Sequence, residues 1–179
     1  MISSGTALVV GASRGIGLAI TKHLLQGRDL RRIYATYRQT GTAAGLLQID
    51  DPRLLTIRAD ITIPADMQGL AKLIEANRDH PDLVINSSGI LHVQKLQPEK
   101  SLRQCAQDSL MRLFLVNSIG PLMLARAVIP LMPKSQPAHF AVLSAMVGSI
   151  GDNRLGGWYG YRASKAALNQ FMRTLANEC

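Results

Sequence analysis

The sequence predicts an α/β fold in which a doubly wound parallel β-sheet is covered by helices on both faces. Short apolar runs alternate with helical segments along the 179 residues, and this alternation is typical of parallel sheets whose strands are joined by helices. Glycine or polar residues follow the apolar runs directly, and ligands of such sheets bind at the carboxyl ends of the strands. We therefore expect a single domain over residues 1–179, which is long enough to bury a core.

The first elements are a strand, a glycine-rich turn and a helix. The apolar run at 6–10 ends at Gly11, and a short apolar run bounded by glycine is typical of a buried strand. Apolar residues then recur at helical spacing, which predicts a helix at 15–26. Glycines let a ligand approach the backbone, and a helix N-terminus offers free amide groups to a pyrophosphate. The predicted dinucleotide-binding turn consists of Gly11, Ser13, Arg14, Gly15, Ile16 and Gly17.

The remaining elements continue the alternation. Further strands are predicted at 32–37, 54–58, 82–86 and 138–143. Further helices are predicted at 64–78 and 159–177, with a weaker one at 42–48. The longest helix, at 101–131, should bend at Pro121 because proline has no amide hydrogen to donate. The later strand ends carry further candidate ligand-binding residues, namely Arg38, Asp60, Asn86 to Gly89, and Ser144.

A tyrosine and a lysine lie one turn apart on the last predicted helix. Tyr161 and Lys165 are at positions i and i+4, so both side chains are expected on one face. A phenol titrates near pH 10, and a neighbouring positive charge favours its ionised form. We therefore expect a lowered pKa for Tyr161 and a role for it as a proton donor and acceptor.

The bulk composition narrows the class of protein. The net charge of +8 comes from scattered Lys and Arg residues, and aromatic residues make up only 4%, which argues against nucleic-acid binding. The apolar stretch 113–132 carries Asn117, Arg126 and two prolines, so it is predicted to be a buried helix rather than a membrane span. Two cysteines and four scattered histidines show no metal-ligand spacing. A cytoplasmic setting is expected.

With these residues assembled, the chain resembles the short-chain dehydrogenase/reductase family, and within it the carbonyl-reductase-like and C-factor-like members. The resemblance rests on the glycine spacing, on Asn86-Ser87-Ser88-Gly89, on Asn117-Ser118-Ile119-Gly120, and on the stretches 148–153 and 157–169. It implies a Rossmann-type fold and hydride exchange between NAD(P) and a carbonyl or alcohol. It also implies that Asp60 and Ile61 contact the adenine and that Asn86 and Gly89 adjoin the cofactor. Asp60 could instead serve only as a turn residue before a helix.

The same resemblance assigns catalytic roles residue by residue. Tyr161 would be the general acid, and Lys165 would hold the nicotinamide ribose and lower the pKa of Tyr161. Asn117 would support a water chain that feeds protons to Lys165, and Ser144 would hydrogen-bond the substrate carbonyl. The family usually has two serines at this point, whereas this chain has Ser144-Ala145. Ser149 could therefore replace Ser144, or the donor could be missing.

The choice of cofactor depends on the end of the second strand. An acidic residue there binds the ribose hydroxyls of NAD, and a basic residue accommodates the 2′-phosphate of NADP. No acidic residue occurs between Asp29 and Asp50, whereas Arg38 lies at the strand end and Arg14 in the glycine turn. Guanidinium groups bind phosphate well, so NADP(H) is predicted over NAD(H).

Three functions are compatible with this pattern. The first is an NADP-dependent carbonyl reductase or alcohol dehydrogenase acting on a small molecule, and a homodimer or homotetramer is expected for it. The second is a non-catalytic NAD(P)-binding sensor or signalling protein, for which the phenol of Tyr161 would be unnecessary. The third is an interaction module without cofactor, which the intact glycine turn disfavours. Members of the family continue for two more strands, so the chain, which stops at Cys179, is expected to be a fragment.

Overall fold

The computed structural model describes residues 5–92 and 96–179. The chain divides into two compact units. We call the first the sheet unit; it contains the residues up to Ser88 together with Met123–Leu143. We call the second the helical unit; it contains Gly89–Leu122 and Ser144–Cys179. The single domain over residues 1–179 stays a prediction.

The sheet unit holds one parallel sheet of five strands, ordered β3-β2-β1-β4-β5. The strands are β1 Gly5–Val10, β2 Leu30–Tyr37, β3 Leu54–Arg58, β4 Leu83–Asn86 and β5 His139–Val142. All five lie within two residues of the predicted bounds, and the fold class is confirmed. The strand order reverses between β1 and β4, where Val10 is paired with Asn86. Ligands of doubly wound sheets bind beside such a switch point.

Six α-helices accompany the strands in the described residues. They are α1 Gly15–Gln26, α2 Ala44–Leu47, α3 Pro64–Ala76, α4 Gln107–Phe114, α5 Gly120–Val128 and α6 Tyr159–Glu178. Short 3₁₀ turns occur at Thr40–Thr42, Leu102–Gln104, Ile129–Leu131 and Met146–Gly148.

The long helix predicted at 101–131 is wrong at its start and in the position of its irregularity. Residues 102–104 form a separate 3₁₀ turn, and α4 begins only at Gln107. The hydrogen-bond pattern then changes from α-helical to π-helical at Leu115–Ile119, where the amide of Gly120 donates to the carbonyl of Leu115. Pro121 has no amide hydrogen for the carbonyl four residues before it. The helix accommodates the missing hydrogen bond in the π-helical turn that precedes the proline.

The core of the sheet unit has two layers, one on each face of the sheet. Leu8 and Val10 of β1 pack with Tyr34, Val84 and the buried residues of α3 and α5. Val9, between them in sequence, packs instead with Ala12, Ala35 and Leu46. Successive strand residues point to opposite faces, so this alternation shows helices covering both sides.

One helical stretch among the described residues, Gln107–Leu131, is long and apolar enough to cross a membrane by those two criteria. Half of its most apolar window is buried inside the structure. Burial of this kind is also found in the core helices of proteins that never enter a membrane, so length and composition do not assign a span here.

Candidate active site

The glycine turn after β1 is packed too closely for side chains. A Cβ on Gly17 would lie 2.2 Å from the carbonyl oxygen of Gly11 and 2.4 Å from the hydroxyl of Ser87. Gly11 has a φ of +82°, and a Cβ there would lie 2.9 Å from the amide nitrogen of Ser88. Only glycine fits either position without moving backbone atoms.

Two hydroxyl groups fix this turn, and one of them, on Thr36, was not identified from the sequence. Thr36 of β2 accepts a hydrogen bond from the amide of Gly11 at 3.2 Å through its hydroxyl. Ser87 donates its hydroxyl to the carbonyl of Val10 at 2.9 Å, and the carbonyl of Gly11 lies at 3.2 Å. The turn is therefore held from β2 and from the segment after β4, which are its neighbours at the switch point.

The backbone amides in the first turn of α1 have no carbonyl partner within the helix, as at any helix N-terminus. Arg14 precedes the helix with an exposed side chain, no side chain caps the helix, and no acidic residue occupies its first turn. Ser13 is half-buried, while Gly15 and Ile16 are exposed. An uncapped N-terminus with small neighbours is suited to an anionic group such as a pyrophosphate.

Arg38 lies, as predicted, directly after β2, and its side chain is exposed. A second arginine accompanies it, because Arg58 at the end of β3 is paired with Tyr37 in the sheet. The Nε of Arg58 donates to the carbonyl of Arg38 at 3.4 Å. The ends of β2 and β3 thus present two guanidinium groups, of which the sequence analysis identified one.

Three other predicted cofactor residues have structural contacts of their own. One carboxyl oxygen of Asp60 accepts hydrogen bonds from the amide and the hydroxyl of Thr62, at 2.9 and 2.7 Å. These are the bonds of a turn before α3, the alternative role considered for Asp60. Ile61 is 7% exposed and belongs to the core. Asn86 is buried, and its side-chain oxygen accepts from the amide of Ser88 at 3.1 Å.

Tyr161 and Lys165 do lie together on α6. The Nζ of Lys165 is 5.9 Å from the centre of the Tyr161 ring, and Lys165 is only 4% exposed. The expected lowering of the phenol pKa is wrong for this structure: burial raises the pKa of Tyr161 above its ordinary value. Burial also lowers the pKa of Lys165, because the ammonium group loses water. Helical spacing predicted the proximity of the two side chains but not that Lys165 would be buried and Tyr161 half-buried.

Asn117 connects the start of the helical unit to α6. It lies in the π-helical turn and is fully buried. Its side-chain oxygen accepts from the amide of Ile90 at 2.8 Å, and its Nδ2 donates to the carbonyl of Ile90 at 2.8 Å and to the hydroxyl of Ser164 at 3.1 Å. Gly89 lies beside this clamp, since a Cβ on it would be 3.5 Å from the Asn117 oxygen and 3.6 Å from the Lys165 Nζ.

Ser144 is exposed, and its hydroxyl donates to the side-chain oxygen of Asn169 on α6 at 2.6 Å. Asn169 was not identified from the sequence. The turn after Ser144 is pressed against the same helix, because a Cβ on Gly148 would lie 2.9 Å from the Lys165 Cβ. Ser149, the other candidate for the substrate contact, lines a cavity of about 400 Å³ within the helical unit.

No group of three or more His, Cys, Asp or Glu residues that could hold a metal ion occurs in residues 5–92 and 96–179. Cys105 and Cys179 are free thiols.

Residues 5–179 match the family model for short chain dehydrogenases. Among curated proteins, the 1-hydroxy-2-glutathionyl-2-methyl-3-butene dehydrogenase of Rhodococcus sp. is 30% identical over 165 residues, which cover 92% of this chain and 66% of that protein. Across the first curated relatives the chain spans 64–66% of their length.

Solved structures with a similar fold include two carbonyl reductases. The carbonyl reductase Sniffer of D. melanogaster has a TM-score of 0.85 and 26% identity, over 98% of this chain and 75% of that one. The NADPH-bound carbonyl reductase from chicken fatty liver has a TM-score of 0.83 and 28% identity, over 97% of this chain and 70% of that one.

Proposed function

Because the chain belongs to the short-chain dehydrogenase family, we propose that it is an NADP(H)-dependent reductase that exchanges hydride between nicotinamide and a small carbonyl or alcohol substrate. The observation that carries the proposal is the pair of half-buried Tyr161 and buried Lys165 on one face of α6, with Asn117 and Ser164 fixed beside it. A protein that only binds a dinucleotide has no use for a phenol held in this way.

The residues of the glycine turn fit a dinucleotide. Gly17 and Gly11 leave room that any Cβ would fill, and the uncapped start of α1 offers amide groups to a pyrophosphate. In the proposed complex Lys165 holds the nicotinamide ribose, and Gly89 allows close approach beside its Nζ. Bound NADPH would supply the hydride.

Tyr161 would give its proton to the substrate oxygen as negative charge develops there. Because its pKa is not lowered, the phenol is protonated at neutral pH, as a proton donor in carbonyl reduction must be. Ser144 would donate a second hydrogen bond to the same oxygen, and donors aimed at a developing charge are usually the largest source of rate enhancement. In the structure this single hydroxyl proton is donated to Asn169, so the hydroxyl of Ser144 would turn away from Asn169 when it donates to the substrate.

Reductase activity is tested by following NADPH oxidation with a panel of aldehydes, ketones and quinones. We expect Tyr161→Phe to lower kcat by about 10²- to 10⁴-fold, the usual range for loss of a general acid. Tyr159→Phe, on the same helix, is the matched control and should stay within about twofold of the parent. Full activity in Tyr161→Phe would show that another group donates the proton.

The preference for NADP(H) is proposed from Arg14, Arg38 and Arg58, together with the lack of an acidic residue at the end of β2. The NADPH bound to the chicken carbonyl reductase supports it. We expect Arg38→Gln to weaken NADPH binding by about tenfold, the loss of one charge-assisted contact, while NADH binding is unchanged. Arg28→Gln is the exposed control. Tighter binding of NADH than of NADPH by the parent would contradict the preference.

A non-catalytic NAD(P)-binding sensor is the second candidate. If NADPH binds in the glycine turn and no carbonyl on the panel is reduced, this candidate replaces the first. We also propose a homodimer or homotetramer and a cytoplasmic location, with no nucleic-acid or membrane partner. Measurement of mass in solution tests the oligomeric state.

A further inference from the structure

The loop before α6 ends in a turn with an unusual backbone. Gly156, Gly157 and Trp158 have φ values of +64°, +65° and +53° in succession. The left-handed region is accessible to glycine but costs an ordinary residue about 1 kcal/mol or more. Trp158 therefore occupies a strained position, and contacts from elsewhere must hold it there.

Glu99 provides those contacts. Its backbone carbonyl accepts the amide of Trp158 at 2.5 Å, and its side-chain Oε2 accepts the amide of Gly160 at 3.3 Å. Glu99 is 3% exposed, and its other carboxyl oxygen has no hydrogen-bond partner among residues 5–92 and 96–179. Burying a carboxyl oxygen without a hydrogen bond is costly. Packing alone does not account for a glutamate at this position, because an apolar side chain would fill the same space without that cost.

The turn is joined firmly to Tyr161. The indole of Trp158 meets the Tyr161 ring edge-on, with ring centres 6.2 Å apart and planes at 75°. The carbonyl of Trp158 accepts the amide of Arg162 at 2.9 Å, and the Nε of Arg162 donates to the carbonyl of Gly157 at 3.1 Å. A shift of Trp158 would therefore move the phenol of Tyr161 or leave it without its aromatic neighbour.

We propose that Glu99 is a positioning residue that sets the place of the Tyr161 phenol by holding Trp158 and the first turn of α6. This inference rests on the proposed reductase function, in which the phenol acts as the proton donor. Glu99 itself touches neither Tyr161 nor any reacting atom. Its effect on the reaction passes through the turn that it anchors.

The experiment compares Glu99→Ala and Glu99→Gln with the parent. Trp158 is the chain's only tryptophan, so tryptophan emission reports on this turn directly. Glu99→Ala keeps the backbone carbonyl that accepts the Trp158 amide and removes the carboxylate that accepts the Gly160 amide. Because Gly160 lies between Trp158 and Tyr161, we expect red-shifted emission and a kcat lowered by about tenfold to a hundredfold, the cost of a small misplacement of a reacting group. The KM for NADPH should change less than about threefold. Glu99→Gln should recover part of kcat, because its amide oxygen can still accept the Gly160 amide.

The control is Glu75→Ala, an exposed glutamate of α3, which should leave emission and kcat unchanged. If Glu99→Ala does not fold, Gly157→Ala disturbs the same contact from the other side. Its Cβ would lie 3.3 Å from the carbonyl oxygen of Glu99 at a φ of +65°, and it should give the same red shift and loss of kcat.

The proposal is overturned if the folded Glu99 variants keep parental emission, or if kcat and the NADPH KM deteriorate equally in both. A parent without activity on any carbonyl would refute the reductase function instead. The emission measurement would then still decide whether Glu99 holds Trp158.

Discussion

The glycine turn and the face of α6 that carries Tyr161 are built in opposite ways. The turn is made of backbone atoms in close contact, where a single added methyl at Gly17 would lie 2.2 Å from a carbonyl oxygen. The α6 face carries buried polar side chains: Ser164 accepts a hydrogen bond from Asn117, and Lys165 loses water on burial. The turn therefore depends on the absence of side chains, whereas the α6 face depends on particular ones.

This difference has an energetic consequence. Packing in the glycine turn stabilises the fold and shapes the predicted phosphate site at the same time. At Lys165 on α6, stability and chemistry oppose each other, because a buried ionisable group is costly for folding. Substitutions of Gly17 and Lys165 should therefore have opposite relations between stability and activity.

The largest effect is expected for Gly17→Ala. The new Cβ would displace the Gly11 carbonyl or the Ser87 hydroxyl, and we expect a loss of about 3 kcal/mol in the free energy of unfolding, as for severe overpacking. NADPH binding should be lost with it. Urea unfolding and titration with NADPH measure the two effects.

Gly69→Ala is the matched control, because it lies exposed in α3 with no atom within 4 Å of the new Cβ. It should raise the free energy of unfolding by about 0.5–1 kcal/mol. If Gly17→Ala behaved like Gly69→Ala, the close-packed description of the turn would be wrong.

Asn117→Ala should have the next largest effect. It leaves the backbone amide and carbonyl of Ile90 without their partners, and each buried polar group left unpaired costs about 1–3 kcal/mol. We expect a loss of about 2 kcal/mol in the free energy of unfolding and a lower kcat, since Ser164 also loses its donor. Asn177→Ala, exposed on α6, is the control, and equal stabilities of the two variants would contradict the clamp.

Substitutions of Ser144 and Ser149 should show which serine contacts the substrate beside α6. If Ser144 donates to the substrate, Ser144→Ala should lower kcat by about tenfold to a hundredfold, the loss of about one or two hydrogen bonds. Stability should barely change because Ser144 is exposed. A larger loss in Ser149→Ala would transfer the role to that residue.

The smallest effect is expected for the free energy of unfolding of Lys165→Met. Burial lowers the pKa of Lys165 in the folded protein, so the unfolded chain binds the ammonium proton more tightly than the folded chain. The free energy of unfolding therefore falls as the pH drops below the unfolded pKa of about 10.5. Lys165→Met should therefore unfold at a higher urea concentration than the parent at pH 7, and this advantage should shrink toward a pH of about 10.5. Activity should be lost. Lys22→Met, exposed on α1, should show no such pH dependence.

The two regions also differ in how far the sequence predicts them. All five strands and the glycine spacing follow from local patterns of apolar residues and glycines. Thr36 and Ser87, which fix the turn, lie 25 and 77 residues from the atoms they bind. Ser164 lies 47 residues from Asn117, and Asn169 lies 25 residues from Ser144. Contacts between residues so far apart in sequence depend on how the strands and helices are placed against each other. No local sequence pattern determines that placement.

The incorrect pKa prediction for Tyr161 and the failure to identify Glu99 also result from surroundings that the local sequence does not determine. The spacing of Tyr161 and Lys165 gave their proximity, but the pKa of a phenol also depends on how much water the surrounding chain excludes. Glu99 was missed because the residues that follow it, Lys100 and Ser101, are polar and exposed. Its buried position becomes evident only when the turn at Trp158 is placed against it.

The widened turn at Leu115–Ile119 has a consequence for how this helix can change over evolutionary time. A helical residue advances the chain by about 100° of rotation. Deleting one residue there would restore regular α-helical geometry but would swing the Asn117 amide away from Ile90. Related chains should therefore tolerate substitutions in this segment far more readily than changes of its length.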